Sequence, residues 1–108
     1  MIISGTFNLP ASANWAQSQT RRVQLDADTT GAPVTVNLPD LADVLAVGGE
    51  GVEIIVNDVN GNAGANNITL VANAGAGDTI EGASNQVISV NDTTVILKVG
   101  SAGSWATL

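Results

Sequence analysis

The side chains that could do chemistry in this chain are almost all carboxylates. Its 108 residues include ten Asp and Glu but no His, no Cys and no Tyr. An imidazole base, a thiolate nucleophile and a disulfide are therefore excluded. Two carboxylate pairs remain, Asp26 with Asp28 and Asp40 with Asp43, and a glycosidase needs such a pair about 5–10 Å apart across a cleft. Close neighbours in turns are more typical of solvated charges or caps, so we predict a non-enzymatic protein without catalytic residues, cofactor or metal.

The segment from Asp58 to Asn62 has some features of a calcium loop. Such a loop needs Gly at its sixth position and Glu at its twelfth, whereas this chain has Ala63 and Thr69 there. The pair Asn60-Gly61 is instead typical of a type I′ turn, in which both central residues take positive φ. We predict that turn between a strand ending at Asn57 and the next strand.

A glycine-rich segment, Gly75 to Ile80, begins like a dinucleotide-binding motif. The motif requires a third Gly and a helix that follows it. Here the third Gly is missing, no helical pattern follows and no basic residue lies nearby. A tight turn into a short strand is the better interpretation.

The charge balance excludes two classes of partner. Three basic residues stand against ten acidic ones, giving a net charge of −7. So few cations cannot neutralise a run of phosphates or hold an anionic membrane surface. Arg21 and Arg22 form the one basic cluster, and alternation predicts that they lie on opposite faces of a strand. They are candidate partner or subunit contacts, although a structural ion pair is the commoner role for such an Arg.

Period-two alternation of apolar residues dominates the chain and predicts β-strands. One helix is predicted over Pro39–Val47, with Asp40 as N-cap and Gly48-Gly49 as its end. Frequent turns between short strands indicate an all-β fold, a small antiparallel β-sandwich or barrel. The predicted strands are Ile2–Phe7, Val23–Ala27, Val34–Leu38, Val52–Asn57, Ile68–Val71, Thr79–Ile80, Val87–Val90, Thr94–Val99 and Trp105–Leu108.

The first 20 residues differ from the rest in composition. Residues 8–20 are uncharged and rich in Ala, Ser, Asn and Gln. We therefore divide the chain into an N-terminal strand with an arm or loop, residues 1–20, and a β-domain, residues 21–108. Trp15 needs an apolar surface to lie on. It either folds back onto its own domain or docks on a neighbouring protein, which makes it a further candidate contact.

Two strands are apolar on both faces. In Ile54-Ile55-Val56 and Val95-Ile96-Leu97, one large residue of each must point away from a single core. Either another part of the domain covers that residue or another copy does. Since β-domains gain by covering exposed surfaces and homo-oligomers are common, we predict an oligomer.

The second half of the chain resembles small β-modules of bacteriophage virion proteins, found in head-decoration and tail-fibre polypeptides. The resemblance covers roughly residues 33–108 and lies in the order of several short elements more than in any one of them. Those elements are Thr35-Val36-Asn37-Leu38-Pro39-Asp40, Gly51-Val52-Glu53-Ile54-Ile55-Val56-Asn57-Asp58, Gly61-Asn62-Ala63, Asn67-Ile68-Thr69-Leu70, Gly77-Asp78-Thr79-Ile80-Glu81-Gly82, Val95-Ile96-Leu97 and Ser104-Trp105.

The resemblance implies a homotrimeric structural domain without catalysis. It assigns a turn to Asn60 and Gly61, flanking positions around a tight strand to Asp78 and Gly82, and packing of the last strand to Trp105. The implied function is a capsid decoration or cement protein on a phage head, bound to the major capsid protein or another virion protein. A tail-fibre, spike or baseplate module is the alternative within the virion, and a carbohydrate-binding module is the alternative of another class. Because the N-terminus lacks a signal peptide pattern, we expect synthesis in the host cytoplasm and a final location in the virion.

Overall fold

The computed structural model describes residues 1–100 and 103–108, and within them the chain forms short strands, two α-helices and one 3₁₀ helix at Ala74–Ala76. Helix α1 spans Ala13–Ala16 and helix α2 spans Leu41–Gly48. The strands are β1 Ile2–Ile3, β2 Thr6–Asn8, β3 Arg22–Ala27, β4 Val34–Asn37, β5 Glu53–Asp58, β6 Ile68–Val71, β7 Thr79–Ile80, β8 Asn85–Ile88, β9 Thr94–Val99 and β10 Ser104–Thr107. The predicted all-β class is confirmed, and each predicted strand overlaps an observed one.

The strands form two sheets, and the chain alternates between them. The six-stranded sheet has the order β1-β3-β5-β9-β10-β7, and the four-stranded sheet has the order β2-β4-β6-β8. From β1 to β9, every strand lies in the sheet that its predecessor does not. From β1 to β6, each strand therefore pairs with the next-but-one strand, which runs in the same direction after two crossings.

This alternation corrects the prediction of an antiparallel sandwich. Five of the eight strand pairings are parallel: β1 with β3, β3 with β5, β2 with β4, β4 with β6, and β7 with β10. A tight hairpin joins two antiparallel strands, whereas a parallel pair needs a longer crossover connection, which the intervening strand in the other sheet supplies for the pairs from β1 to β6. Period two identifies a strand and its buried face, but it contains no information on which sheet the strand joins.

The predicted strand Ile2–Phe7 is two strands for the same reason. The Ile3 carbonyl accepts a hydrogen bond from the amide of Asp28, and the Gly5 carbonyl accepts one from the amide of Thr35. The chain thus leaves one sheet and enters the other within two residues. Gly5 permits this step with a φ of +59°, a value that glycine adopts without steric cost.

The inner faces of both sheets share one hydrophobic core, as expected for a sandwich. The alternating residues of each strand supply it, and residues 1–20 contribute as well. The buried apolar side chains are Ile3, Leu9, Trp15, Ala16, Leu25, Ala27, Val34, Val36, Leu38, Leu41, Val44, Val52, Ile54, Val56, Ala63, Ile68, Leu70, Ala72, Ile80, Ile88, Leu97 and Trp105.

Helix α2 is short, and specific residues determine both of its ends. Asp40 is the N-cap, and its side chain accepts a hydrogen bond from the amide of Ala42. The amide of Gly49, with a φ of +77°, donates to the carbonyl of Leu45 at the other end. Leu41 and Val44 face the core. The predicted helix Pro39–Val47 therefore differs from the observed one by two residues at its start and one at its end. Among the described residues, no helix has the length and apolar character that crossing a membrane requires.

Candidate functional site

One member of each candidate carboxylate pair, Asp28 and Asp40, has a structural contact. Asp28 accepts a hydrogen bond from the amide of Thr30 at 3.0 Å, and this bond lowers the pKa of its carboxyl. Asp40 caps helix α2. Within residues 1–100 and 103–108, there is neither a pocket nor a cluster of three potential metal ligands.

Asp58 is the most heavily bonded carboxylate, and it lies buried with 2% of its surface exposed. Its Oδ1 accepts from the hydroxyl of Thr29 at 2.7 Å, and its Oδ2 accepts from the amides of Ala63 and Asp92, both at 3.0 Å. Asn66 binds the carbonyl of Thr29 in the same group. We call these five residues the Asp58 cluster. It joins the ends of β3 and β5 to the loops before β6 and β9.

The electrostatics of the cluster favour a charged carboxylate. Burial opposes ionisation and by itself raises the pKa of Asp58, whereas the hydrogen bonds from Thr29, Ala63, Asp92 and Asn62 together lower it further than burial raises it. The net shift of the pKa is downward. The sequence singled out Asp58 as the first position of a calcium-like loop, but in the structure its oxygens accept hydrogen bonds from one hydroxyl and two backbone amides, which occupy most of the acceptor sites of the carboxylate.

The turn expected at Asn60-Gly61 exists with a different geometry. The amide of Gly61 donates to the carbonyl of Asp58 at 3.3 Å, and Gly61 has a φ of +72° while Asn60 has no positive φ. The prediction of a type I′ turn here is wrong. Both central residues of a type I′ turn need positive φ, and Asn60 does not have it.

The type I′ pattern occurs at Glu81-Gly82. Both residues have positive φ, +50° and +83°, and Ile80 and Ala83 exchange both backbone hydrogen bonds across them. Glu81 also accepts hydrogen bonds from the amide and the hydroxyl of Thr107, at 2.7 and 3.2 Å. This turn therefore connects β7 to β8 and fastens strand β10.

Asp78 and Trp105 both lie inside the fold. Asp78 is 7% exposed, and its Oδ2 accepts from the amide of Leu41 at 2.8 Å, so it caps helix α2 from a distant segment. Trp105 is fully buried between neighbours in the six-stranded sheet, and its indole Nε1 has no hydrogen-bond partner among the described residues. Sequence reasoning missed the cap, because 37 residues separate Asp78 from Leu41.

The three candidate contact residues lie in different environments. Trp15 is 7% exposed and donates from Nε1 to the carbonyl of Pro10 at 2.7 Å. Trp15 therefore packs on its own domain, the first of the two alternatives, and its role as a contact with a partner stays a prediction. Arg22 forms an ion pair with Glu53 on the neighbouring strand, Nη2 to Oε1 at 2.9 Å. Arg21 precedes β3 with a φ of +52°, so strand alternation does not apply to it, and its side chain is exposed.

The outward face of the six-stranded sheet carries the surplus apolar residues predicted from the sequence. Ile55 of β5 lies directly opposite Ile96 of β9, and both are partly exposed. The adjacent cross-strand row consists of Arg22, Glu53 and Lys98. This surface has an apolar centre with charges beside it, which is the composition of many protein interfaces.

The outward face of the four-stranded sheet is quite different. Thr6, Thr35 and Thr69 lie in register across three parallel strands, and the next row begins with Asn8 and Asn37. The Asn37 amide donates to the Asn8 side chain at 2.8 Å. The eight outward strand positions of this face carry no charge, although the whole chain has a net charge of −7.

Comparison with known proteins identifies the family. The family model described as bacteriophage T4 gp9/10-like protein, N-terminal, matches residues 5–107, which include all the strands from β2 to β10. No match was found among curated proteins. The match confirms the resemblance to virion β-modules and extends it beyond residues 33–108 to β2, α1 and β3. The chain therefore belongs to the bacteriophage T4 gp9/10-like N-terminal family, a family of phage virion structural modules.

Proposed function

We propose that this chain is a non-enzymatic structural module of the phage tail, part of a fibre, spike or baseplate. The observation that carries the proposal is the family match over residues 5–107, which covers both sheets of the sandwich. The proposal thus adopts the tail alternative of the sequence analysis. Its partners are copies of itself, arranged as a homotrimer, and a further virion protein.

The geometry supports a role in assembly more than a role in chemistry. Asp40, Asp58 and Asp78 each satisfy backbone amides, and a carboxylate engaged in this way is poorly placed to transfer protons to a substrate. Carbohydrate binding would need aromatic rings on an exposed face. Trp15 and Trp105 are both buried, so neither ring is available for stacking on a sugar.

The head-decoration hypothesis stays a prediction. In that hypothesis Trp15 is a candidate contact with the partner protein. Residues 1–20 form β1, β2 and α1 and pack against the rest of the sandwich, and the ring of Trp15 is buried there. The family relationship favours the tail instead.

The number of copies per particle tests the location. A head protein covers a large repeating surface and is present in hundreds of copies, whereas a tail component is present in few. We expect quantitative mass spectrometry of purified virions to find a small number of copies relative to the major capsid protein. Gold-labelled antibodies should mark the tail in electron micrographs of the same particles. Hundreds of copies per particle with label over the head would overturn the tail assignment and restore the decoration hypothesis.

A further inference from the structure

The outward face of the six-stranded sheet divides into two halves of opposite charge. We define this face by the outward positions of its three long strands. These are Arg22, Gln24 and Asp26 on β3, Glu53, Ile55 and Asn57 on β5, and Thr94, Ile96 and Lys98 on β9. The half formed by β3 and β5 carries two acids and one Arg, and the half formed by β9 carries one Lys.

Lys98 has an unusual position on this face. It lies directly opposite Glu53, but the Glu53 carboxylate already holds Arg22 at 2.9 Å, and no ion pair to Lys98 occurs within the described residues. Asp26 in the other half accepts a hydrogen bond from the Gln24 amide and lies 3.9 Å from the terminal amine. The face therefore has the Lys98 ammonium at one side, without an ion pair, and the Asp26 carboxylate at the other side. No Arg or Lys side chain of the same chain pairs with Asp26 within the described residues.

The rest of the surface does not favour contact between copies. Of the ten acidic and three basic residues in the chain, this face carries two of each. Apart from Arg21, the charges elsewhere are all acidic, so contacts there bring like charges together. The outward face of the four-stranded sheet is uncharged, and six of its eight outward positions are Thr or Asn. The other two, Val71 and Val87, lie in adjacent rows and do not face each other as Ile55 and Ile96 do.

We infer that three copies of this chain pack with their six-stranded sheets toward a common three-fold axis. The inference rests on the proposed homotrimer and adds the surface that forms it. In a three-fold arrangement each contact joins two different patches, and here the β3–β5 half of one copy meets the β9 half of the next. Ile55 and Ile96 become buried near the axis, and Lys98 pairs with Asp26 of the adjacent copy.

A charge placed at the centre of the face tests the inference. Ile55→Glu puts three carboxylates near the axis, and we expect native mass spectrometry and light scattering to find a folded monomer. Val71→Glu is the matched control, because Val71 is also β-branched, partly exposed and outward on an inner strand, but in the other sheet. We expect Val71→Glu to remain trimeric.

The possible outcomes test the contact surface and the trimeric state separately. A trimeric wild type whose Ile55→Glu variant is also trimeric would overturn the surface and leave the proposed trimer intact. A monomeric wild type would overturn the trimer itself. If Ile55→Glu does not fold, Ile55→Ala replaces it, and we expect its half-dissociation concentration to rise about tenfold or more because each copy loses buried apolar area. An unchanged concentration for Ile55→Ala would contradict the inference.

A charge exchange tests the pairing across the boundary between copies. Lys98→Glu should weaken the trimer, and adding Asp26→Lys in the same chain should restore it. Within one chain the two residues are two strands and about four residues apart, roughly 16 Å, so they cannot compensate each other internally. Failure of the second change to restore assembly, with both variants folded, would rule out this pairing.

Discussion

At Asp58, a single carboxylate holds together segments that are far apart in sequence. Its oxygens face three donors, the hydroxyl of Thr29 and the amides of Ala63 and Asp92. Buried donors without an acceptor cost more free energy than a hydrogen bond contributes when it forms. The side chain is therefore a structural centre of the loops at this end of the sandwich.

Replacing Asp58 with Asn should destabilise the protein by about 1–3 kcal/mol at neutral pH. The amide of Asn can accept hydrogen bonds only at its oxygen, so its NH₂ group must face a donor. Urea unfolding followed by circular dichroism measures the change. Asp92→Asn is the control, since Asn tolerates the φ of +62° at this position and Asp92 contributes its backbone amide to the cluster. Equal stability of the two variants would contradict the role assigned to Asp58.

Comparison of the wild type with Asp58→Asn isolates the part of the pH dependence of stability that is due to Asp58. Its pKa is lower in the folded state than the ordinary value of 3.8, so the unfolded chain takes up the proton first as the pH falls. The stability that the ionised group supplies is present above 3.8 and is lost as the pH falls through the lower folded value. The difference in unfolding free energy between wild type and Asp58→Asn should therefore shrink on acidification. Urea unfolding at a series of pH values from 6 to 3 measures this difference. A difference in unfolding free energy that stays constant over that range would contradict the prediction.

Among the elements, the strands were predictable from the sequence and their partners were not. In β3, β4, β5 and β6 the residues alternate between buried and exposed, and a local pattern can show this. Sheet membership depends on contacts across the whole chain, so the expected hairpin from β5 to β6 proved to be a crossing between sheets. The outward position of the apolar residues Ile55 and Ile96 could likewise be predicted from the local sequence pattern. The hydrogen-bond donors to Asp58 could not be predicted in this way, because Thr29, for example, lies 29 residues away from Asp58.

The turn between β7 and β8 offers a test at the level of one element. Gly82 has a φ of +83° and open space around its Cα, so Gly82→Ala adds no collision and changes only the backbone preference. We expect a loss of about 1–2 kcal/mol in unfolding free energy. Gly31→Ala is the matched control, because Gly31 also has open space but no positive φ. Differential scanning calorimetry should show a lower Tm for Gly82→Ala alone, and equal values of Tm would contradict the turn geometry.

In the whole molecule, residues 1–20 belong to the core. Ile3, Leu9, Trp15 and Ala16 are buried there, and β1 and β2 form one edge of each sheet. The carbonyl of Ala16 lies so close to Gly48 that a Cβ on Gly48 would collide with it. Helix α1 therefore packs tightly on helix α2 instead of extending away as an arm.

Deleting residues 1–20 should consequently abolish cooperative folding. The deletion exposes the apolar side chains that Trp15 and its neighbours cover, and single large-to-small changes in a core already cost several kcal/mol, a large share of the stability of a small domain. We expect the truncated chain to lose its cooperative thermal transition and its amide dispersion in two-dimensional NMR spectra. Trp15→Phe is the control, since it keeps an aromatic ring in the core and removes the pyrrole part of the indole with its bond to Pro10, at a cost of about 1–3 kcal/mol. A truncated chain that unfolds cooperatively within a few degrees of the wild type would show that residues 21–108 fold alone, and residues 1–20 would again be candidates for the attachment element.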